Sequence, residues 1–156
     1  MREVCANLRF TSPCLGAIKR HRIYKGNRQV VFELPKNGTG RVVFLPTWWQ
    51  AILTKAASIF CHHQSLIRSV RVRLEVEGQP RAEPYHRYYK RDRFSRHEAF
   101  LPGDAVVVQF VIPDGLSVED FSKILVIAGR YFGISPHRPN EFGFFDVDSV
   151  QSLHGV

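Results

Sequence analysis

Cations and aromatic rings alternate through Tyr85-His86-Arg87-Tyr88-Tyr89-Lys90-Arg91-Asp92-Arg93-Phe94-Ser95-Arg96-His97. From Gly78 to His97 the chain holds six basic residues and four aromatics against two acids. Such a mixture suits a single-stranded nucleic acid. Cations follow the phosphates while ring faces receive bases, each stack being worth roughly 1–3 kcal/mol. Guanidinium planes can do either job. Arg87, Lys90, Arg91, Arg93 and Arg96 are the expected phosphate partners, and Tyr85, Tyr88, Tyr89 and Phe94 the expected stacking residues. The plain alternative is that the rings fold back on the domain and the arginines are only solvated.

Two further clusters lie upstream. Lys19-Arg20-His21-Arg22 is followed by Tyr24, Lys25 and Arg28, and Arg68, Arg71 and Arg73 form a third group. Arg71 and Arg73 share one side of an extended segment, where a polymer can lie across them. Lys19, Arg20, Arg22, Arg71 and Arg73 are therefore expected to extend the track. Between Gly133 and Gly143, Arg138 is the obvious anion-binding group, although the glycines there lack the spacing of a phosphate-cradling loop.

Metal and catalytic chemistry are poorly supplied. Cys61-His62-His63 offers ligands at adjacent positions rather than at i, i+4, and no carboxylate pair or second cysteine cluster completes a site. No metal or other cofactor is expected. His21, His86 and His97 lie in basic segments, where a histidine can act as general base in metal-free RNA cleavage. More often it is one more donor in a phosphate-binding patch, so no catalytic residue is assigned.

The charge distribution agrees with this reading. The net charge is +8 over 156 residues. Residues 1–100 hold 19 of the 22 lysines and arginines with seven acids, whereas residues 101–156 hold three with seven. A chain polarised in this way should present one positive face to polyanions. Cys5, Cys14 and Cys61 are odd in number, which argues against a disulfide framework and for a reducing, cytoplasmic setting. Neither a signal peptide nor an apolar run of roughly 20 residues is seen, so no membrane partner is expected.

The elements that must position these residues can be read from periodicity. Glu3 to Thr11 alternates as a strand. Gln29 to Leu34 and Arg41 to Leu45, joined through Asn37-Gly38-Thr39-Gly40, read as a hairpin. Lys19 to Arg22 reads as a connector. Trp49, Ile52, Leu53, Ala56 and Phe60 mark one face of a helix introduced by Pro46; Trp49 is expected in the core and Trp48 off that face. Val70 to Glu77 alternates as a half-buried strand, and Asp104 to Ile112 reads as a central one. Ser117 caps a second amphipathic helix through Phe121, Ile124, Leu125, Ala128 and Phe132, and Phe142 to Val147 ends the series. The fold class expected is α+β. Its plan is a ferredoxin-like βαββαβ sheet with two helices on one face, an extra N-terminal hairpin and a basic thumb-like insertion at about 78–97, all in one domain spanning 1–156.

Several stretches resemble small proteins encoded by phages and prophages. They are Thr11-Ser12-Pro13-Cys14-Leu15, Phe44-Leu45-Pro46 before a helix containing Ala56-Ala57, and Ala128-Gly129-Arg130-Tyr131-Phe132-Gly133-Ile134 with Arg138-Pro139 and Phe142-Gly143-Phe144-Phe145-Asp146-Val147. The layout is also similar to the RAMP superfamily, the RNA-binding ferredoxin-like subunits of CRISPR effector complexes. That resemblance implies a protein that binds RNA or single-stranded DNA and assembles side by side along it. Residues 78–97 match the family's thumb and 133–143 its glycine-rich loop, but this chain has two spaced glycines where the family loop is dense with them.

The expected function is non-catalytic binding of single-stranded RNA or DNA by a phage or mobile-element protein. One rival is a metal-independent endoribonuclease using His21, His86 or His97. The other is an interaction protein that inhibits or joins a host nucleoprotein complex.

Overall fold

The computed structural model describes residues 1–60, 64–73, 76–82, 84–90, 93–134 and 142–153. Strand β1 (Arg2–Phe10) opens the chain, followed by β2 (Cys14–Leu15) and a hairpin of β3 (Ile18–Tyr24) and β4 (Asn27–Glu33). Helices α1 (Pro46–Phe60) and α2 (Gln64–Ile67) precede β5 (Arg71–Val72). A second hairpin, β6 (Tyr85–Lys90) and β7 (Arg93–His97), leads to β8 (Ala99–Phe100) and β9 (Ala105–Ile112). Helix α3 (Val118–Tyr131) and strand β10 (Phe145–Ser152) complete the order.

The main sheet runs β10-β1-β9-β5, and every neighbouring pair in it is antiparallel. Alternation explains its centre. Val4, Ala6, Leu8 and Phe10 of β1 lie on the same face as Val106, Val108, Phe110 and Ile112 of β9, and all eight are buried. Trp49, Ile52, Leu53, Ala56 and Ala57 of α1 join this core with Phe121, Ile124, Leu125 and Ala128 of α3. Trp49 meets Phe110 and Phe145 edge-on at 5.0 and 6.0 Å. Ser117 accepts the Asp120 N–H at 3.0 Å, as its capping role requires. Among the described residues no helix is long and apolar enough to cross a membrane.

The expected βαββαβ plan with two helices is overturned. Among the described residues ten strands are distributed over three sheets, accompanied by three helices. The hairpin and the insertion do not decorate the main sheet; they pair with each other in a separate sheet of order β3-β4-β7-β6. The reason lies in their composition. Ile18–Tyr24 carries cations on both faces of the strand, so it cannot be covered by a helix, and each hairpin completes its backbone pairing against the other.

The hairpin partner also differs from expectation. β4 pairs with Ile18–Tyr24, the segment read as a connector, and not with residues 41–45, where Val42 bridges Lys36. The closing turn is Lys25-Gly26, whose φ angles of 51° and 81° are both left-handed. Two successive positive φ values match the right-handed twist of the flanking strands, and glycine at the second removes most of the cost. The last strand begins at Phe145 rather than 142 and runs to Ser152. β9 is central in its sheet but fully buried on one face only.

A two-stranded joint ties the second sheet to the main one. β2 pairs with β8, Cys14 opposite Phe100 and Leu15 opposite Ala99. Phe100 in turn stacks on Phe10 at 5.3 Å and meets Phe44 edge-on. Both strands that enter the second sheet from this joint, β3 and β7, therefore leave from one anchored point.

Candidate nucleic-acid interface

The strands of the second sheet contain Lys19, Arg20, Arg22, Arg28, Arg87, Lys90, Arg93 and Arg96, against one acid, Glu33. β4 and β7 run parallel, with Val31 level with Arg96 and Phe32 with His97. Both strands begin at the turns of their hairpins, so the two hairpins close at the same end of the sheet. Two basic segments some sixty residues apart in sequence are thereby placed side by side.

Register decides which residues share a face, because side chains directly opposite on paired strands point the same way. Arg20, Val31, Arg96 and His86 form one row, and Phe94 lies on the same face two residues before Arg96. The Arg96 guanidinium sits 4.6 Å over the Phe94 ring, and the His86 ring centroid lies 5.2 Å from that of Phe94. Phe94 is 38% exposed and Arg20 and His86 are exposed. This is a small platform of a partly exposed aromatic ring beside a guanidinium and an imidazole, a unit that can stack a base while holding its phosphate.

The other face is built differently. Lys19, Phe32, His97 and Tyr85 form its matching row. Tyr85 is half-buried and Arg87 lies 5.2 Å over the ring of Phe142, next to the main sheet. These two face the body, contrary to the continuous track expected from sequence. Arg22, on the Arg20 face, is also committed: its Nε and Nη2 each donate to Glu33 at 2.9 Å. The structure thus groups Arg20, Phe94 and Arg96, adds His86, and separates Lys19, Tyr85 and Arg87 from them. Arg71 and Arg73 belong to the other sheet, where Arg71 Nη1 donates to the carbonyls of Arg68 and Val70 and the Arg73 N–H to that of Gln109. Tyr88 is the register partner of Phe94 and Lys90 that of Arg93, while Tyr89 occupies the intervening bulge. Arg91 and Arg138, like Cys61, His62 and His63, lie outside the described residues.

His86 is not among the nucleic-acid-binding residues expected from sequence, where it enters only the rival endoribonuclease reading. Its parity with Arg96 would have found it, had the register been known.

The three histidines do not assemble. His21 and His86 fall on opposite faces of the sheet. His97 is 2% exposed, donates from Nδ1 to the Gly16 carbonyl at 2.7 Å, and in the neutral ring accepts the Ser95 hydroxyl on Nε2 at 2.6 Å. Stacked on Phe32 at 5.2 Å, it works as a strut between β7 and the β2–β3 link. Among the described residues no cluster of His, Cys, Asp or Glu can hold a metal ion. Cys14 is fully buried, with its thiol pushed up by desolvation and donating to the Ile134 carbonyl at 3.2 Å.

Glu33 is the electrostatic hinge of the sheet. The Arg22 hydrogen bonds hold its carboxyl below the usual range; burial opposes them, and Lys36 and Arg20 add to them. A carboxyl depressed in the folded state contributes stability above its unfolded value, about pH 4.3, and loses it as pH falls through the folded value. Asp104 acts in the same direction: burial disfavours its charge, but Arg81 and the Leu101 N–H outweigh that. Urea unfolding between pH 7 and pH 3 should therefore show a loss of stability below about pH 4.3 that is smaller in Glu33→Gln, whose side chain does not titrate. Parallel pH profiles would refute the role given to Glu33.

Compared with known proteins, the chain matches no family model and no curated sequence. Its function has to be argued from its own residues.

Proposed function

We propose that this protein binds single-stranded RNA or DNA, without cleaving it, along the β3-β4-β7-β6 sheet. The observation that carries the reading is the Arg20–Phe94–Arg96–His86 platform, set in a sheet whose strands hold eight cations and one acid. Arg20 and Arg96 neutralise phosphates on either side of Val31, Phe94 receives a base, and His86 donates beside it. Tyr88, level with Phe94 on β6, continues the site toward the closed end of the β6–β7 hairpin, and Lys90 and Arg93, which the register places on the opposite face, add to the positive field of the sheet. Arg138 and side-by-side assembly of copies along the strand belong to the same proposal, as does the likeness to small phage proteins and RAMP subunits.

Fluorescence polarisation of a labelled oligonucleotide at several salt concentrations tests this reading. Log K should fall linearly with log salt, with a slope of about −0.7 for each phosphate neutralised on a single strand. A flat response, or no binding to RNA or DNA at low salt, would refute it. Stable capture of a host nucleoprotein complex by a protein that binds no oligonucleotide would favour the interaction rival instead.

A further inference from the structure

Ile23 is 72% exposed, more than any other large apolar side chain among the described residues. Its position gives that exposure meaning. β4 contacts β7 at Val31 and Phe32, so beyond Val30 the β3–β4 hairpin continues as a two-stranded ribbon. The pairs His21–Val30, Arg22–Gln29, Ile23–Arg28 and Tyr24–Asn27 extend it by about 13 Å. Lys19 to Ile23 and Lys25 to Arg28 are all exposed, and no acid occurs from Ile18 to Phe32. Ile23 sits one pair from the turn, directly opposite Arg28 and on the same face as His21.

An aliphatic side chain held in water at the end of a cationic ribbon has a particular use. A two-stranded ribbon fits a nucleic-acid groove, whose walls are phosphates and whose floor is the edges of stacked bases. Cations flanking the tip engage the walls, and an apolar tip residue can enter the stack, unstacking one step and kinking the duplex. We propose that the β3–β4 ribbon enters a groove of double-stranded nucleic acid and inserts Ile23 between adjacent base pairs. The inference rests on the nucleic-acid reading above and adds duplex, or duplex segments of a folded strand, to its substrates. Arg28 and Lys25 meet the phosphates beside the insertion, and the Phe94 platform serves a single strand as before.

A duplex oligonucleotide carrying 2-aminopurine at its centre reports the insertion, because the probe brightens when it is unstacked. Wild-type protein should raise the emission at saturation. Ile23→Ser should bind the duplex about tenfold more weakly, with an unchanged salt slope and no rise in emission, while Ile23→Leu should retain the rise. Saturated wild type without brightening, or Ile23→Ser brightening like wild type, would overturn the wedge. Binding to single strands with none to duplex would overturn the wedge alone and leave the earlier reading standing. Failure to bind either form would overturn both. Retention of wild type but not Ile23→Ser on phosphatidylserine vesicles, with no duplex binding, would assign Ile23 to a membrane surface and also overturn the wedge.

Discussion

Replacing Lys19, Arg20, Arg28 and Arg96 together by alanine should reduce the salt slope of single-strand binding by about 2.8, if each of the four neutralises one phosphate. Between 50 and 200 mM salt the wild type should then lose about 50-fold more affinity than the variant. The matching control removes the same charge elsewhere. Arg2, Lys55, Lys123 and Arg130 lie on β1, α1 and α3, away from the basic sheet. Their joint replacement by alanine lowers the net charge equally but should leave the slope unchanged. If both variants lose slope alike, net charge and not the sheet drives binding. Splitting the set sharpens the result. Arg20 and Arg96 share the Phe94 face while Lys19 and Arg28 share the other, so replacing the first pair alone should remove about half of that slope change.

Gly16→Ala should loosen the basic sheet from the body. A Cβ at Gly16 would stand 2.2 Å from the Glu33 carbonyl carbon and 2.4 Å from the Leu34 nitrogen. Those are backbone atoms at the end of β4, with no flexible side chain to swing aside. Three hydrogen bonds converge at the same point: the Gly16 N–H donates to Glu98 at 2.8 Å, the Ala17 N–H to Glu33 at 3.1 Å, and His97 to the Gly16 carbonyl at 2.7 Å. Overpacking usually costs about 1–3 kcal/mol, and a backbone clash amid shared hydrogen bonds belongs at the upper end. The urea midpoint should drop accordingly. Hydrogen exchange should show lost protection in β3, β4 and β7 with β1 and β9 still protected. Gly38→Ala is the control, since nothing lies within 4 Å of a Cβ there. Wild-type stability and exchange in Gly16→Ala would show that this close approach holds nothing together.

Much of the main sheet and its helices could be read before any coordinates. Val4 to Phe10, Trp49 to Ala57 and Phe121 to Ala128 each repeat at the period of the element they form, because each has one wet side and one dry side. The second sheet leaves no such trace. Ile18–Tyr24 is exposed along nearly its whole length, so its strand state comes from pairing with β4 and not from burial. Asn37-Gly38 looks like a hairpin turn, and the Asn37 side chain does close a local loop by accepting the Thr39 and Arg41 N–H groups. That loop is flanked by the isolated Lys36–Val42 bridge and not by a hairpin of β4, which has its partner in β3.

What the sequence determined by itself is the inventory: cations and rings in two segments, with few acids among them. Composition is local and survives any fold. Only tertiary structure decided the partnership of those segments and the side each residue faces. A strand alternates every residue, and a bulge between Tyr88 and Lys90 changes the count. Arg96 therefore lies beside Phe94, while Arg87, nine positions earlier, is turned onto Phe142.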